Sequence, residues 1–285
     1  MVWERLGSAS VGGTPPATSW KELGRQTLSS SGDVMTSGTI TAKDNMMILY
    51  YGVADGAMIN KLTFNDDTGN NYAYRLSDGG ATDSTTTSNA FLEFATSSTS
   101  NEFSVANVVN ISNQEKLVQL NHVGQNTAGA GTVPRRRELT GKWANTSNAI
   151  TKVTATNSQS GSFGSGSELV VLGYDNDESD SGTNFWQELA NVELSSAGDT
   201  LTSGVFTAKK YLWVRIHGIA SGNFDNVKIR FNNYNDSSYA YTHSSNGSGF
   251  SNNQSDSGIN YVGTNGAEDH FVDMFIFNKS DKEKL

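Results

Sequence analysis

The sequence predicts an all-β protein built of tandem antiparallel β-sandwich, jelly-roll-like domains, the second of them incomplete. Three observations predict this fold class. Short β-branched and aromatic runs recur between turn residues, no window carries the i, i+3, i+4, i+7 apolar spacing of a helix, and one long pattern occurs twice. An apolar fraction of 35 % with 10 % aromatic residues suits thin β cores joined by Ser-, Thr-, Asn- and Gly-rich turns.

The first copy contains eleven segments that read as strands. Each is a short apolar or β-branched run bounded by turn residues. The predicted strands lie near residues 22–28, 34–42, 45–54, 60–65, 71–76, 90–95, 102–111, 116–123, 136–144, 150–157 and 167–174.

The internal repeat is the strongest signal in the sequence. The Trp-Lys-Glu-Leu run that begins at Trp20 returns as Trp-Gln-Glu-Leu from Trp186, and Thr-Ala-Lys at 41–43 returns at 207–209 with the same offset. One inserted residue later, the Tyr-Ala-Tyr of the first copy also returns. Between these anchors apolar positions keep their character while polar loops differ freely, as expected of core and surface.

The repeat divides the chain into four parts. A shorter echo, Trp-Glu-Arg-Leu-Gly from Trp3, resembles the first strand of the repeat but stops at a Gly- and Pro-rich stretch. The predicted parts are an N-terminal segment with this partial echo (1–19), β-sandwich repeat 1 (20–175), an acidic linker (176–184) and a truncated β-sandwich repeat 2 (185–285).

Repeat 2 lacks the last part of repeat 1. Its final Glu-Lys-Leu at 283–285 matches 115–117, so the predicted strands from 116 to 174 have no equivalent. Such a truncation would leave strand edges unpaired, and unpaired edges recruit other strands. The sequence leaves two explanations open: the missing strands come from another chain, or the sequence is a fragment of a longer protein.

Composition excludes several function classes. A net charge of −9 and a pI near 4.9 argue against nucleic acid and polybasic membrane-surface binding. No apolar run approaches the roughly 18 residues that span a bilayer, so no membrane insertion is expected. The N-terminus does not resemble a secretory signal, and without cysteine there is no disulfide or thiolate chemistry. The one basic cluster, 135–137, is expected to be solvent-exposed strand-edge arginine.

No catalytic motif or cofactor-binding fingerprint occurs in the sequence. It contains no Gly-x-Ser-x-Gly elbow, no His-Glu-x-x-His, no phosphate loop and no dinucleotide-binding pattern, and its four histidines are scattered. We therefore expect a non-enzymatic protein without catalytic residues or cofactors.

The acidic cluster at the end of repeat 1 and in the linker supplies weak candidate metal ligands, Asp175, Asp177 and Asp180 with Glu178, and the turns at 65–67 and 232–233 are weaker candidates still. Clustered carboxylate oxygens are what Ca²⁺ prefers, but Asp180 falls where an EF-hand loop has glycine. A solvated acidic linker explains the cluster more simply, so no metal site is predicted.

Two tyrosine pairs are candidate glycan-binding residues. Tyr72 and Tyr74, like Tyr239 and Tyr241, are two residues apart on a predicted strand, so each pair projects from one face. Such a pair can form a sugar-stacking platform. The alternative, which we favour, is that the rings cover the core with their hydroxyls at its rim.

The pattern Trp-x-Glu-Leu-Gly, Gly-Asp, Thr-Ala-Lys, Phe-Asn and Tyr-Ala-Tyr over residues 20–74 resembles a repeated sandwich module of virion structural proteins from environmental viruses and tailed phages. This resemblance implies a capsid, capsid-decorating or tail-associated protein of the virion. It would act through self-assembly contacts, as a homo-oligomer and with other virion proteins. The alternative is a carbohydrate-binding module or adhesin, extracellular or at a cell surface, that binds surface glycans through the tyrosine pairs.

Overall fold

A computed structural model describes residues 20–125, 127–175, 185–186, 188–218, 227–245, 248–262 and 270–285. These residues form β-strands and no helix, and every strand pairing among them is antiparallel. The predicted all-β, antiparallel sandwich-type fold is thereby confirmed. With no helix in the described ranges, none there could cross a membrane. The N-terminal segment 1–19 and the linker 176–184 lie outside the described residues.

The first copy contributes fourteen strands, and each predicted strand position holds one. The predicted strand 34–42 ends early, at Thr36, and the polar strand at 84–89 was not predicted because it has no apolar alternation. The strands are β1 (Lys21–Thr27), β2 (Val34–Thr36), β3 (Asn45–Gly52), β4 (Ala54–Asp55), β5 (Met58–Phe64), β6 (Tyr72–Asp78), β7 (Ser84–Asn89), β8 (Leu92–Ser98), β9 (Glu102–Val109), β10 (Lys116–Gly124), β11 (Arg135–Trp143), β12 (Val153–Asn157), β13 (Ser162–Phe163) and β14 (Glu168–Tyr174).

Two sheets enclose the main core of the first copy. The larger has eight strands in the order β1-β14-β3-β9-β10-β11-β6-β7, and the smaller has four in the order β2-β12-β5-β8. Burial alternates strictly along β5, as expected for a strand with one face on a core. Trp143, Phe64, Tyr72 and Tyr50 are among the large side chains buried between the sheets.

Strands β14 and β3, the second and third strands of the larger sheet, are buried on both faces. Their sequences, NMMILYYG and ELVVLGY, are nearly continuous apolar runs, the pattern of doubly covered strands. The outer face of these strands carries a second apolar cluster that includes Leu49, Tyr51 and Leu172 from the first copy and Tyr211 and Phe277 from the second.

The second copy contributes three strand pairs. Their registers match those of the first copy: Asn45 faces Val109 and Tyr211 faces Phe277, while Tyr72 faces Asn89 and Tyr239 faces Asp256. The strands are β15 (Tyr211–Gly218), β16 (Val227–Ile229), β17 (Tyr239–Ser245), β18 (Ser248–Asp256), β19 (Ile259–Val262) and β20 (His270–Phe277), paired β15-β20, β16-β19 and β17-β18.

Irregularities of the backbone occur at equivalent positions in the two copies, as the strand registers do. Ser88 and Ser255, at equivalent positions, both have positive φ, at 51° and 54°. The two pairs β6-β7 and β17-β18 shift register at their equivalent tyrosines. A bulge repeated in this way is encoded by the local sequence.

Candidate assembly interface

The strand pair β15-β20 packs against the outer face of the larger sheet. Tyr51 and Phe277 stack with ring centroids 3.6 Å apart and planes inclined by 15°. Phe103 and Tyr211 also stack, with centroids 6.1 Å apart. Aromatic stacking together with apolar burial holds this part of the second copy on the first.

Glu168, at the start of β14, ties the two copies together electrostatically. Its carboxylate accepts hydrogen bonds from Tyr211 Oη at 2.5 Å, Arg25 Nη1 at 2.6 Å and Thr27 Oγ1 at 2.9 Å, and also from Lys210 Nζ. Burial alone would raise the pKa of Glu168, but the hydrogen bonds from Lys210, Tyr211 and Arg25 outweigh it and lower the pKa to about 2.

The stretch 188–210, which precedes β15, belongs to no strand. Its counterpart in the first copy contains β1 and β2, and residues 190–209 are all exposed. Among the described residues this stretch joins no β-ladder, although the Lys210 carbonyl accepts the Asn278 backbone N–H at 2.7 Å. We call residues 188–210 the unpaired segment, in the sense that they join no described β-ladder.

The unpaired segment keeps a local turn of the first copy. Gly38 and Gly204 have the same φ of +66°, a value that glycine adopts without strain. The Ser37 hydroxyl donates to the Gly38 carbonyl at 2.8 Å, and the Ser203 hydroxyl donates to the Gly204 carbonyl at 3.0 Å. The turn therefore forms without the long-range partners that surround it in the first copy.

Apolar side chains of the unpaired segment face solvent where their counterparts are buried. Met35 is 0 % exposed and its equivalent Leu201 is 47 % exposed. Ile40 is 4 % exposed and its equivalent Phe206 is 37 % exposed. The sequence thus retains core residues at positions that have no core to join among the described residues.

Strand order explains the difference between the copies. Both β1 and β2 are edge strands with a single neighbour, β14 for β1 and β12 for β2. The sequence pattern of β12 and β14 occurs once in the 285 residues, and among the described residues the second copy forms no ladder equivalent to β1-β14 or β2-β12. The counterparts of β1 and β2 therefore lack, in the described part of the chain, the neighbour on which each depends in the first copy.

All four tyrosines proposed as glycan ligands are buried. Tyr72 is 1 %, Tyr74 9 %, Tyr239 8 % and Tyr241 6 % exposed. Tyr72 Oη accepts the Phe64 backbone N–H at 2.9 Å, and Tyr239 Oη accepts that of Phe231 at 2.8 Å. A sugar-stacking platform needs open ring faces, so this geometry favours the core role that the sequence also indicated.

Asp175, the one described member of the acidic cluster, already has partners. Its carboxylate accepts from Lys43 Nζ at 2.8 Å and from the Asp44 backbone N–H at 3.1 Å. Asp177 and Asp180 lie outside the described residues. Within the described ranges no group of three or more His, Cys, Asp or Glu side chains could hold a metal ion.

A buried polar cluster inside the first copy escaped prediction because its members are scattered in sequence. Ser104 Oγ lies 2.9 Å from His122 Nδ1, and His122 Nε2 lies 3.8 Å from Glu102 Oε2. Glu102 also accepts from Tyr50 Oη at 2.9 Å and from the Asn60 side-chain amide. The residue types are those of an acyl-transfer triad, but all are buried in the core and out of reach of a substrate.

Burial controls the protonation of this cluster. It raises the pKa of Glu102 to about 8, against the opposing hydrogen bond from Tyr50, and it lowers the pKa of His122 to about 3. Near neutral pH both side chains are therefore predominantly uncharged, as expected for polar groups inside a β-sandwich core.

The basic cluster at 135–137 is not simply solvent-exposed, and that expectation was wrong. Arg137 is buried, and its Nη2 lies 3.1 Å from Asp78 Oδ2. Arg135 Nη2 lies 2.5 Å from the same oxygen. The arginines hold β11 to β6 through Asp78 instead of offering an open anion-binding surface.

A shallow groove of about 500 Å³ crosses the uncovered part of the outer face of the larger sheet. Its rim includes Trp20 and Tyr174, whose rings meet edge to face at 4.7 Å. Asn107, Gln119 and Thr140 contribute polar side chains, and none of the described residues that line the groove is charged.

No protein-family model, curated protein or solved structure matches the chain.

Proposed function

We propose that this chain is a non-enzymatic structural protein that acts by assembly through open β-strand edges. The observation that carries the proposal is the exposure of apolar side chains in the unpaired segment. Leu201 and Phe206 are 47 % and 37 % exposed, whereas their equivalents Met35 and Ile40 are buried in the core of the first copy. Exposed, strand-forming edges pair readily with other chains. The resemblance of residues 20–74 to modules of virion structural proteins suggests that the structure to which this chain belongs is a virus particle. The chain would be a capsid, capsid-decorating or tail-associated component of that particle.

The partners proposed for this role are further copies of the chain and other virion proteins, with the virion as its location. The buried, inaccessible Ser104–His122–Glu102 cluster supports a role without catalysis, because a substrate would have to enter the core. The net charge of −9 favours protein partners over nucleic acid.

The proposal is tested by following assembly of the purified chain with concentration. Sedimentation velocity and negative-stain electron microscopy should show discrete, symmetric oligomers whose proportion increases with protein concentration. The purified chain is measured by itself and after mixing with an extract of the proposed virus particle. Leu201→Asp should weaken assembly by placing a charge on the open edge. Thr82→Asp, in an exposed loop of the first copy, is the matched control and should assemble normally. A chain that stays monomeric under all these conditions would contradict the proposal.

The groove on the larger sheet favours a second candidate function, carbohydrate binding. Uncharged amide and hydroxyl side chains beside aromatic rings suit neutral polyhydroxylated ligands. The glycan site would then be this groove and not the buried tyrosine pairs. A glycan array should show saturable binding that is lost in Asn107→Ala and Gln119→Ala and kept in Thr82→Ala. Absence of any bound glycan would remove this candidate.

A further inference from the structure

We infer that the groove on the larger sheet is a dimer interface, in which the same surface of a second molecule of this chain docks. The inference deepens the proposed assembly function and rests on it, because it identifies one surface through which separate molecules meet. We give the name docking patch to five of the residues that line the groove, Trp20, Asn45, Asn107, Val109 and Leu117.

The internal repeat singles out these five positions. Their equivalents in the second copy are Trp186, Tyr211, Phe275, Phe277 and Leu285. Each of these equivalents either belongs to the apolar cluster on the outer face of the larger sheet or packs directly against it. The surface that is open in the first copy is therefore the surface by which the second copy docks within the chain.

The docking patch is continuous with the contact between the two copies. Met47, which is buried in that contact, faces Asn107 across the β3-β9 pair, and Trp20 both packs against the apolar cluster and lines the groove. Leu117 is 55 % and Val109 39 % exposed, and these two residues face each other across the β9-β10 pair. Covering them removes apolar surface from water and so stabilises a complex.

The differences between the two equivalent surfaces indicate a reversible contact. Asn45 and Asn107 stand where the second copy has Tyr211 and Phe275. The aromatic surface of the second copy suits permanent packing within one chain. Amides beside aliphatic side chains are more typical of interfaces between molecules that also exist apart. We therefore expect an equilibrium between monomers and dimers.

The chemistry of the groove suits contact with the same groove of another molecule. None of the described residues that line it is charged, so two such surfaces can face each other without like-charge repulsion. Asn107, Gln119 and Thr140 lie in register on three adjacent strands, and each of these side chains can both donate and accept hydrogen bonds. A surface that pairs with itself about a two-fold axis closes at two molecules, the commonest symmetry of soluble oligomers.

Sedimentation equilibrium of the full chain measures the association. We expect a monomer–dimer equilibrium. Leu117→Arg would place two like charges in the interface and should raise the dissociation constant by about tenfold or more. Because Leu117 is an exposed side chain, the variant should fold normally, which circular dichroism checks. Thr82→Arg adds the same charge to an exposed loop and is the matched control.

Asn107→Phe tests the argument from the repeat. It introduces into the docking patch the residue type that the second copy has at Phe275. We expect the dissociation constant to fall by about tenfold while the associated species remains a dimer. Thr82→Phe adds the same ring outside the patch and should leave the dissociation constant unchanged.

Cross-linking identifies the surfaces that meet. The chain has no cysteine, so Leu117→Cys and Asn107→Cys each provide a single thiol. A short bismaleimide should join two molecules in at least one of these variants, because a two-fold axis through the docking patch brings identical residues together. Thr82→Cys should give no cross-linked dimer.

The outcomes separate this inference from the proposed function. Dimers that are weakened by Leu117→Arg and cross-linked through the docking patch support the inference. Weakening without a cross-link in either cysteine variant overturns it, because the patch would then meet a different surface. Oligomers that respond to Leu201→Asp but not to Leu117→Arg overturn it and leave the proposed function standing.

Dimers that respond to Leu117→Arg, without any larger assembly, support the docking patch and contradict assembly through open strand edges. A chain that stays monomeric at every concentration overturns both. Glycan binding in the groove of such a monomer would assign this surface to a sugar.

Discussion

Met35 and Leu201 occupy equivalent positions of a repeated sequence, yet Met35 is 0 % exposed and Leu201 is 47 % exposed. The difference does not come from the side chains, which are similar in size and polarity. It comes from β12, which pairs beside Met35 and has no equivalent beside Leu201 among the described strands. Equivalent local sequences thus form a core strand in one copy and an exposed segment in the other.

This contrast predicts unequal costs for equal truncations. Met35→Ala should reduce the free energy of unfolding by ~2–5 kcal/mol, because it leaves a cavity between two sheets. Leu201→Ala should change it by less than ~0.5 kcal/mol, as expected for an exposed side chain. Urea unfolding monitored by tryptophan fluorescence measures both. Equal destabilisation would mean that the unpaired segment is packed in solution.

Glu168 should make the protein sensitive to acid. Its folded-state pKa of about 2 lies below the ordinary glutamate value, so its contribution is present above about pH 4.5 and is lost as the pH falls toward 2. Glu168→Gln should destabilise the protein by ~2–3 kcal/mol at pH 7 and flatten the decline in Tm between pH 5 and 3. Glu138→Gln, on an exposed side chain, is the control. An unchanged acid profile in Glu168→Gln would refute the assignment.

Of the buried pair, Glu102 should give the opposite dependence, at high pH, whereas His122 adds to the acid sensitivity. The pKa of Glu102 is raised to about 8, so its contribution is complete below about pH 4.5 and is lost as the pH rises through 8. The pKa of His122 is lowered to about 3, so its contribution is complete above about pH 6.5 and is lost as the pH falls through 3.

Glu102→Gln separates the two effects. The wild-type free energy of unfolding should decrease between pH 6 and 9, whereas Glu102→Gln, which cannot ionise, should lose less over that interval. Chemical denaturation at the two pH values measures the difference. A steeper alkaline decline in the variant than in the wild type would contradict the raised pKa.

Tyr72→Phe and Tyr239→Phe test whether these hydroxyls are structural. Each change removes the acceptor of a backbone N–H, that of Phe64 or of Phe231. We expect Tyr72→Phe to cost ~1–3 kcal/mol, because the Phe64 donor is buried. Tyr239→Phe should mainly speed amide exchange at 227–231, with little change in global stability. Thermal unfolding measures the effect of Tyr72→Phe, and hydrogen exchange measures that of Tyr239→Phe. If either variant instead lost glycan binding without a change in stability or exchange, the tyrosines would be a sugar-stacking platform.

Phe277→Ala should release β15-β20 from the first copy. The ring is fully buried and stacks on Tyr51 at 3.6 Å, so its loss removes the centre of the contact. Amides in 211–216 should exchange faster while those of β3 and β14 keep their hydrogen-bonded protection. Phe206→Ala, on an exposed ring of the unpaired segment, is the matched control. Equal exchange in both variants would show that the stack does not hold the copies together.

Strand positions in the first copy could be predicted because they depend on local patterns. Apolar alternation located β5 and β10, and continuous apolar runs located β3 and β14. The polar strand β7, STTTSN, was missed because it is an edge strand without apolar alternation. A core role was favoured for Tyr72 and Tyr239 over a glycan platform, and both rings are buried.

The site could be predicted only in part. The truncation of the repeat indicated unpaired edges, but which residues would be left open depended on strand order. Pairing of β2 with β12 joins residues more than a hundred positions apart, and no local pattern encodes such a pairing. The burial of Arg137 against Asp78 and the cluster around Glu102 were unpredictable for the same reason.

By itself, the sequence determined the fold class, most strand positions of the first copy and the internal repeat, because these follow from side-chain periodicity and from residues that recur at a constant offset. Tertiary structure decided which of two equivalent segments forms a strand. A β-strand is completed by hydrogen bonds to its neighbour, so Met35 enters a core beside β12, while Leu201 in the equivalent segment remains exposed.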